Sequence, residues 1–225
     1  MNTDTPVAVP QPPETPGELR QGLAERLDAL DRPGAVQLVL DAVAQGRIGI
    51  PDLYTQVLGP YLTEVGSRWQ HGRELVWQEH FASHVVRTIV EALYPEVARQ
   101  AAAVPRGGDT VLLVCPPREE HELGLRMLSD RFELAGYRAV FLGADTPIAD
   151  IVEAAGAVRA SIVALSVSTV IERVELRRFI DSLRQELDGV RIVVGGPALQ
   201  RDPGAWSPEE MFDPAELGLP GGPAR

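Results

Sequence analysis

Residues Val111 to Gly124 read VLLVCPPREEHELG, and this stretch decides the fold. Its first part, VLLVC, is a short apolar run of strand length, and a helical pattern follows as far as Ala135. A buried strand that leads directly into a helix is the beginning of a βα unit. The loop between the two carries an acid, a histidine and a glycine in the pattern Glu119-x-His121-x-x-Gly.

The alternation of strand and helix continues through the C-terminal half. Further strands are predicted at 139–142, 161–167 and 190–194, with helices at 148–158 and 171–187 between them. This βαβα order predicts a parallel, doubly wound sheet of the flavodoxin-like (Rossmann-type) class. Ligands of such sheets bind beyond the carboxyl ends of the strands.

Three motifs follow predicted strand ends, so we expect them on one edge of the sheet. They are the loop Glu119 to Gly124, the hydroxyl side chains of Ser166, Ser168 and Thr169, and the pair Gly195-Gly196. A metal-bound histidine usually donates its second ring N–H to a carboxylate or carbonyl, and Glu119 is placed to accept such a bond from His121. Gly124 and the glycine pair would let another molecule approach the backbone.

Each motif also has an ordinary explanation when it is taken singly. His121 is then a loop histidine before a helix whose N-terminus favours the neighbouring acids. The serines and glycines are then plain turn residues. The occurrence of all three motifs in order on one sheet edge favours a ligand site.

Apolar residues recur at helical spacing in the N-terminal half. Leu19, Leu23, Leu27 and Leu30 form the first such row, and further helices are predicted at 35–45, 51–68 and 76–99. Helices with short connections predict a four-helix bundle. The predicted parts are a disordered Pro-rich arm at 1–17, a helical cap at 18–103, a linker at 104–108, an α/β domain at 109–205 and a Pro/Gly-rich tail at 206–225.

The composition argues against several classes of protein. The chain has 21 Lys and Arg against 32 Asp and Glu, a net charge of −11, which disfavours direct binding of nucleic acid. No apolar run reaches the roughly 20 residues of a membrane helix, and the N-terminus lacks the pattern of a signal peptide. The single cysteine, Cys115, rules out an internal disulfide and fits a cytoplasmic protein. Without a Ser/His/Asp set, a phosphate-binding loop or zinc spacing, we expect no turnover enzyme.

The strand-end motifs together resemble those of the cobalamin-binding domain of corrinoid proteins. That family carries Asp-x-His-x-x-Gly, then Ser-x-Leu, then a Gly-Gly pair. The resemblance implies that His121 is the lower axial ligand of cobalt and displaces the cofactor's own benzimidazole. The positions that it assigns to cofactor binding are Glu119, His121, Leu123, Gly124, Ser166, Ser168, Thr169, Gly195 and Gly196.

This chain departs from that pattern at two positions. Glu119 replaces Asp, which lengthens the side chain but keeps the carboxylate, and Ser168 replaces Leu. The family's last strand and helix are not evident after Leu199.

A second motif lies in the helical half, where Trp69 is followed by Val76 and by the adjacent pair Glu79-His80. A tryptophan offers a large apolar face that could cover one side of a bound ring. The alternative is a core tryptophan with a solvated Glu-His pair. The pattern, preceded by Val-Gly, resembles the four-helix cap of light-sensing cobalamin proteins of the CarH type, in which these positions contact the upper face of the cofactor.

The second resemblance implies a function. Light would break the cobalt–carbon bond of adenosylcobalamin held between cap and α/β domain, and loss of the upper group would change the domain or oligomer arrangement. We therefore expect cobalamin as the cofactor, a homo-oligomer (dimer or tetramer) and a separate signalling partner. CarH-type repressors begin with a DNA-binding domain, and the short Pro-rich arm is not expected to provide one.

Several alternatives stay open. Related photocobilins also bind a bilin such as biliverdin, for which Cys115 is expected to be buried and a poor covalent anchor. The CarH type has a cobalt-ligating histidine directly after the tryptophan, where this chain has Gln70, so a second ligand is left to His71 or His84. The competing functions are a corrinoid shuttle protein of a methyltransferase system and a flavodoxin-like interaction module without a cofactor.

Overall fold

A computed structural model of the chain describes residues 15–73, 75–168 and 173–200. The protein divides into two compact units, with the boundary between Ala92 and Leu93. No helix among the described residues is both long enough and apolar enough to cross a membrane.

The first unit is helical, as the sequence predicts. Its elements are α1 (Pro16–Asp28), α2 (Arg32–Ala44), α3 (Ile50–Asp52), a π-helical segment (Leu53–Leu58), α4 (Gly59–Gln70) and the first part of α5 (Val76–Ala101). A capping box fixes the beginning of α1, because Thr15 Oγ1 accepts the amide of Glu18 at 3.2 Å and the Glu18 carboxylate accepts the amide of Thr15 at 2.9 Å. Helix α1 thus begins inside the segment assigned to the arm, and residues 1–14 lie outside the described ones.

The buried face of α1 is shorter than its leucine spacing predicts. Leu19, Leu23 and Leu27 are buried on that face. Leu30 is exposed and has a φ of 57°, because the helix has already ended at Asp28. The chain turns there to reach Asp31, whose side chain accepts the amide of Gly34 at 2.9 Å and begins α2.

The third predicted helix contains a π-helical turn that the sequence pattern did not reveal. The amide of Gly59 donates to the carbonyl of Tyr54, one residue further back than in an α-helix. Pro60 follows, and it has no amide to donate while its ring crowds the preceding turn. The wider turn lets Pro60 lie within one continuous run from Ile50 to Gln70.

The second unit contains the rest of α5 and an α/β domain. Its elements are β1 (Thr110–Val114), α6 (Leu123–Leu134), β2 (Arg138–Gly143), α7 (Ile148–Val158), β3 (Ile162–Ser166), α8 (Arg173–Glu186), β4 (Arg191–Gly195) and the short α9 (Pro197–Gln200). Within the described residues four strands form a sheet of order β2-β1-β3-β4, and each neighbouring pair is parallel. The predicted flavodoxin-like sheet is confirmed.

Helices cover both faces of the sheet, and the strand residues alternate between them. One face packs against α6 through Val111, Leu113, Ala164, Val193, Leu125 and Phe132. The other packs against α7 and α8 through Leu112, Val114, Val163, Leu165, Val194, Ile151 and Ile180. This burial fixes the strands, so the loops at their carboxyl ends start from a rigid edge.

Candidate functional site

The strands β1 and β3 lie side by side, and their connections run to opposite sides of the sheet. The loop after β1 leads through α6 to β2, whereas the segment after β3 leads through α8 to β4. In sheets of this class, ligands bind beyond the strand ends at the point where neighbouring connections diverge in this way. Glu119 and His121 lie on the first loop, and Ser168 lies on the second.

The carboxylate of Glu119 joins these two loops. Its side chain is fully buried. Its Oε1 accepts the amide of His121 at 2.9 Å and lies 2.8 Å from His121 Nδ1. Its Oε2 accepts the amide of Ser168 at 2.7 Å. The longer side chain of Glu thus reaches the histidine and the neighbouring strand end at once.

The bond to Glu119 decides which nitrogen of His121 is available to a metal. A carboxylate can only accept, so Nδ1 is the donor and the neutral ring has its lone pair on Nε2. The side chain of His121 is 62% exposed, although its orienting acid is buried. An oriented, accessible imidazole of this kind would serve as a metal ligand, so the residues present fit a corrinoid.

The ordinary explanation of this loop fits the structure less well. It explains the acids by the N-terminus of a helix, and α6 does begin nearby at Leu123. Glu119, however, is buried and bonded to two loops rather than solvated. The acid therefore serves the histidine and the strand end.

The other residues assigned to this edge differ in their surroundings. Ser166 and Ser168 are half-buried at the end of β3, Leu123 is half-buried and Gly124 is exposed. Residues 115–122, between β1 and α6, form the loop that carries His121 and are called the histidine loop. A Cβ on Gly124 would meet nothing within 4 Å, so this glycine leaves open space beside the histidine loop. Thr169 lies outside the described residues.

The backbone at position 196 requires a glycine. Its φ is +111°, and an added Cβ would lie 2.3 Å from the carbonyl oxygen of Val167. The amide of Val167 also donates to the carbonyl of Gly195 at 2.9 Å. On the side where a Cβ would point, the space at Gly196 is thus filled by the end of β3, not left for another molecule.

Cys115 lies directly after β1 and is buried, as expected. Burial raises the pKa of its thiol to about 12, and the charges of Glu119 and Glu122 add to the effect. The thiol stays protonated at neutral pH, which makes it a poor nucleophile for covalent attachment.

The cap motif lies on the surface of the first unit. Trp69, near the end of α4, is 45% exposed, so it is not the core tryptophan of the alternative explanation. Val76 is also exposed, and Leu75 and Trp77 beside it extend the apolar surface. Leu75 and Trp77 belong to no recognised pattern, so their exposure alone assigns them no role in ligand binding.

The Glu79-His80 pair is close to water. Glu79 Oε1 accepts the hydroxyl of Ser83 at 2.6 Å, which fixes the carboxylate along α5. Its Oε2 lies 3.6 Å from Nε2 of His80, whose side chain is exposed. Both side chains are therefore accessible to a polar ligand.

The loop after β2 also contacts the histidine loop, and sequence reasoning missed it. Asp145 in this loop bonds with Arg118 and Glu119, and Ala144 bonds with Glu122. The available signal was the run Gly-Ala-Asp-Thr-Pro directly after a predicted strand, on the same edge as the three recognised motifs.

Comparison with protein families defines the class of this protein. A family described as "B12 binding domain" matches residues 109–216, and a second family with the same description matches residues 19–94. The chain therefore belongs to the B12-binding proteins and joins a helical B12-binding cap to an α/β B12-binding domain.

Individual relatives fall into two groups. The HTH-type transcriptional repressor CarH of Myxococcus xanthus is 35% identical over 182 residues, which are 80% of this chain and 58% of the repressor. This chain thus spans little more than half the length of that relative. The trimethylamine corrinoid protein 1 of Methanosarcina acetivorans is 25% identical over 188 residues, which are 80% of this chain and 85% of that protein.

A solved structure shows the same fold. The monomethylamine corrinoid protein of Methanosarcina barkeri matches with a TM-score of 0.68 over 91% of this chain and 92% of its own. The sequence identity of this pair is 20%, so the likeness concerns the fold alone.

Replacing Glu119 with Gln is expected to weaken cobalamin binding by about 10- to 100-fold, the usual effect of losing the partner of a metal-bound histidine. Both carboxylate oxygens of Glu119 accept hydrogen bonds from N–H groups. A glutamine has one oxygen and one NH₂ group, and its NH₂ group would face an N–H donor that it cannot accept from. One contact, to His121 or to Ser168, must fail. A titration followed by absorbance measures the affinity.

The matched control is Glu120→Gln. Glu120 is the exposed neighbour in the same loop, and its replacement removes the same charge. It should bind like the wild type. Equal affinities of the two variants would count against the orienting role of Glu119.

Proposed function

We propose that this protein is a cobalamin-dependent light sensor. The observation that carries the proposal is the combination of two sites, a histidine oriented by a buried acid in the α/β domain and a surface tryptophan with a Glu-His pair in the cap. The 35% identity with CarH supports it, as does the resemblance of the cap motif to light-sensing cobalamin proteins.

The residues of this chain have distinct tasks in the proposal. Bound adenosylcobalamin supplies a cobalt–carbon bond that visible light breaks. His121 would hold the metal through Nε2, and Glu119 would keep its ring oriented. Trp69, Val76, Glu79 and His80 would contact the adenosyl group. Without that group these contacts would be lost, and a ligand shifts a conformational equilibrium through such differential contacts.

Further parts of the proposal concern assembly and signalling. The protein acts in the cytoplasm as a homo-oligomer, a dimer or tetramer, and passes its signal to a separate protein rather than directly to nucleic acid. It is a sensor and not a turnover enzyme. A second chromophore, a bilin such as biliverdin, would be held non-covalently, because the Cys115 thiol is buried and protonated.

The proposal is tested by reconstituting the purified protein with adenosylcobalamin in the dark and exposing it to green light. We expect the absorption spectrum to change together with the elution volume in gel filtration. Free adenosylcobalamin is itself cleaved by light, so the informative result is the change in the protein. An elution volume and cofactor retention that are identical in dark and light would refute the sensor function.

Two tryptophans of the cap provide a matched pair of variants, whose affinities for adenosylcobalamin and hydroxocobalamin are compared by titration in the dark. Trp69 and Trp77 are 45% and 53% exposed, and the motif assigns only Trp69 to the cofactor. Trp69→Ala should reduce the preference for adenosylcobalamin over hydroxocobalamin by about 10-fold, since burying the exposed part of this side chain would contribute about 1.4 kcal/mol, roughly half of the value for a whole aromatic side chain. Trp77→Ala should keep the preference.

The second candidate function is a corrinoid shuttle protein of a methyltransferase system. The observation that favours it is coverage: the dimethylamine corrinoid protein of Methanosarcina barkeri is 26% identical over 84% of this chain and 87% of its own length. A shuttle would exchange a methyl group with a partner methyltransferase in the dark. Its oligomeric state would not respond to light.

A further inference from the structure

The loop that follows β2 runs beside the histidine loop and is bonded to it along its length. The amide of Cys115 donates to the carbonyl of Gly143 at 2.8 Å, and the amide of Thr146 donates to the carbonyl of Cys115 at 3.1 Å. These bonds extend the pairing of β1 with β2 beyond the strand ends. The histidine loop therefore begins against a fixed neighbour.

Asp145 makes the contacts nearest to the orienting acid. Its amide donates to the carbonyl of Glu119 at 3.0 Å. Its Oδ1 accepts the amide of Arg118 at 2.7 Å. Asp145 is thus hydrogen-bonded to two successive residues of the histidine loop, Arg118 and Glu119.

Both ends of this contact have an uncommon backbone conformation. Arg118 has a φ of +69° and Asp145 a φ of +47°, in the left-handed region that costs a residue with a Cβ about 1–2 kcal/mol. Such conformations persist only when surrounding contacts hold them. The bond from Arg118 to Asp145 joins the two.

Glu122 forms a second connection between the loops. Its Oε2 accepts the amide of Ala144 at 3.0 Å. The same oxygen would lie 2.4 Å from a Cβ on Gly143, whose φ is +87°. The glycine is therefore required for this close approach.

We propose that Asp145 is a positioning residue of the cobalamin site, which acts by fixing the backbone of Arg118 and Glu119. The direction of the Glu119 side chain, and with it the orientation of the His121 ring, depends on that backbone. This inference rests on ligation by His121, which is part of the proposed function. Asp145 itself need not touch the cofactor.

The test compares two replacements of Asp145 in the full-length protein. Gly keeps the left-handed conformation accessible but removes the acceptor. Asn keeps both an acceptor oxygen and tolerance of that conformation. Asp145→Gly is expected to bind hydroxocobalamin about 3- to 10-fold more weakly, the effect of one lost hydrogen bond, whereas Asp145→Asn should stay within about 2-fold of the wild type.

The control is Asp188→Gly, which removes an exposed acid from the turn before β4, at the opposite end of the strands. It should bind like the wild type. A second readout reports orientation directly: the nitrogen splitting in the electron paramagnetic resonance spectrum of reduced cobalt, in protein labelled with ¹⁵N-histidine. Ligation by a protein histidine gives a doublet, and ligation by the cofactor's own base gives a triplet. The doublet fraction should fall in Asp145→Gly and be restored in Asp145→Asn.

The outcomes separate the two proposals. Unchanged affinity and an unchanged doublet in Asp145→Gly would overturn the positioning role alone. An equal loss in Asp145→Asn would overturn it too, because that variant retains the acceptor. A wild-type spectrum without the doublet would overturn ligation by His121, and the role of Asp145 with it.

Discussion

Replacing His121 with Gly is expected to lower the affinity for cobalamin by about 100-fold or more, since losing a ligand should cost at least as much as losing its partner. Nε2 of His121 is the atom proposed to bond to cobalt, and this variant loses that bond. Bound cofactor should also lose the ¹⁵N-histidine doublet. Absorbance titration and electron paramagnetic resonance measure the two effects.

The effect on folding should be small by comparison. Removal of the His121 side chain takes one donor from the buried Glu119 carboxylate, which keeps the amide of residue 121, so the free energy of unfolding is expected to fall by about 1–2 kcal/mol. Added imidazole provides the control, because it can occupy the vacated position and restore the absorption spectrum of ligated cobalt. Full affinity in His121→Gly without imidazole would rule out ligation by this residue.

Much of the α/β domain could be predicted because three of its described strands, β1, β3 and β4, are largely buried on both faces. Continuous apolar runs such as 111–115 are typical of buried parallel strands. Parallel strands place their carboxyl ends on one edge of the sheet. The proximity of Glu119, His121 and Ser168 follows from that rule. The spacing of Glu119 and His121 within one loop also predicted their hydrogen bond, which the structure contains.

The sequence could not predict contacts made by the backbone. Ser168 meets Glu119 through its amide, which every residue except proline has, so the side chain gives no signal. The left-handed conformation of Asp145 is equally hidden, because the residue type only tolerates it. The surface position of Trp69 depends on where α4 ends, at Gln70, and helix ends are poorly defined by periodicity.

Replacing Gly196 with Ala is expected to destabilise the α/β domain by about 2–4 kcal/mol, through overpacking together with backbone strain. The new Cβ would lie 2.3 Å from the carbonyl oxygen of Val167, and the φ of +111° disfavours any side chain. Because the damage falls between β3 and β4, hydrogen exchange of their amides should detect it directly.

The control for this change is Gly156→Ala in α7. A Cβ there meets nothing within 4 Å, so alanine should stabilise the helix by roughly 0.5–1 kcal/mol. Equal stability of Gly196→Ala and the wild type would show that the strand ends adjust without cost.

The same substitution should also weaken cobalamin binding, for a reason that links the glycine pair to the histidine. Relief of the clash at Gly196 requires Val167 to move, and Val167 precedes Ser168, whose amide holds Glu119 Oε2 at 2.7 Å. A displaced Ser168 would leave one oxygen of a buried carboxylate without its donor, which is costly. Gly196→Ala should therefore lower the fraction of histidine-ligated cobalt even under conditions where the variant is fully folded. A folded variant with an undiminished ¹⁵N doublet would show that the end of β4 does not act on the histidine.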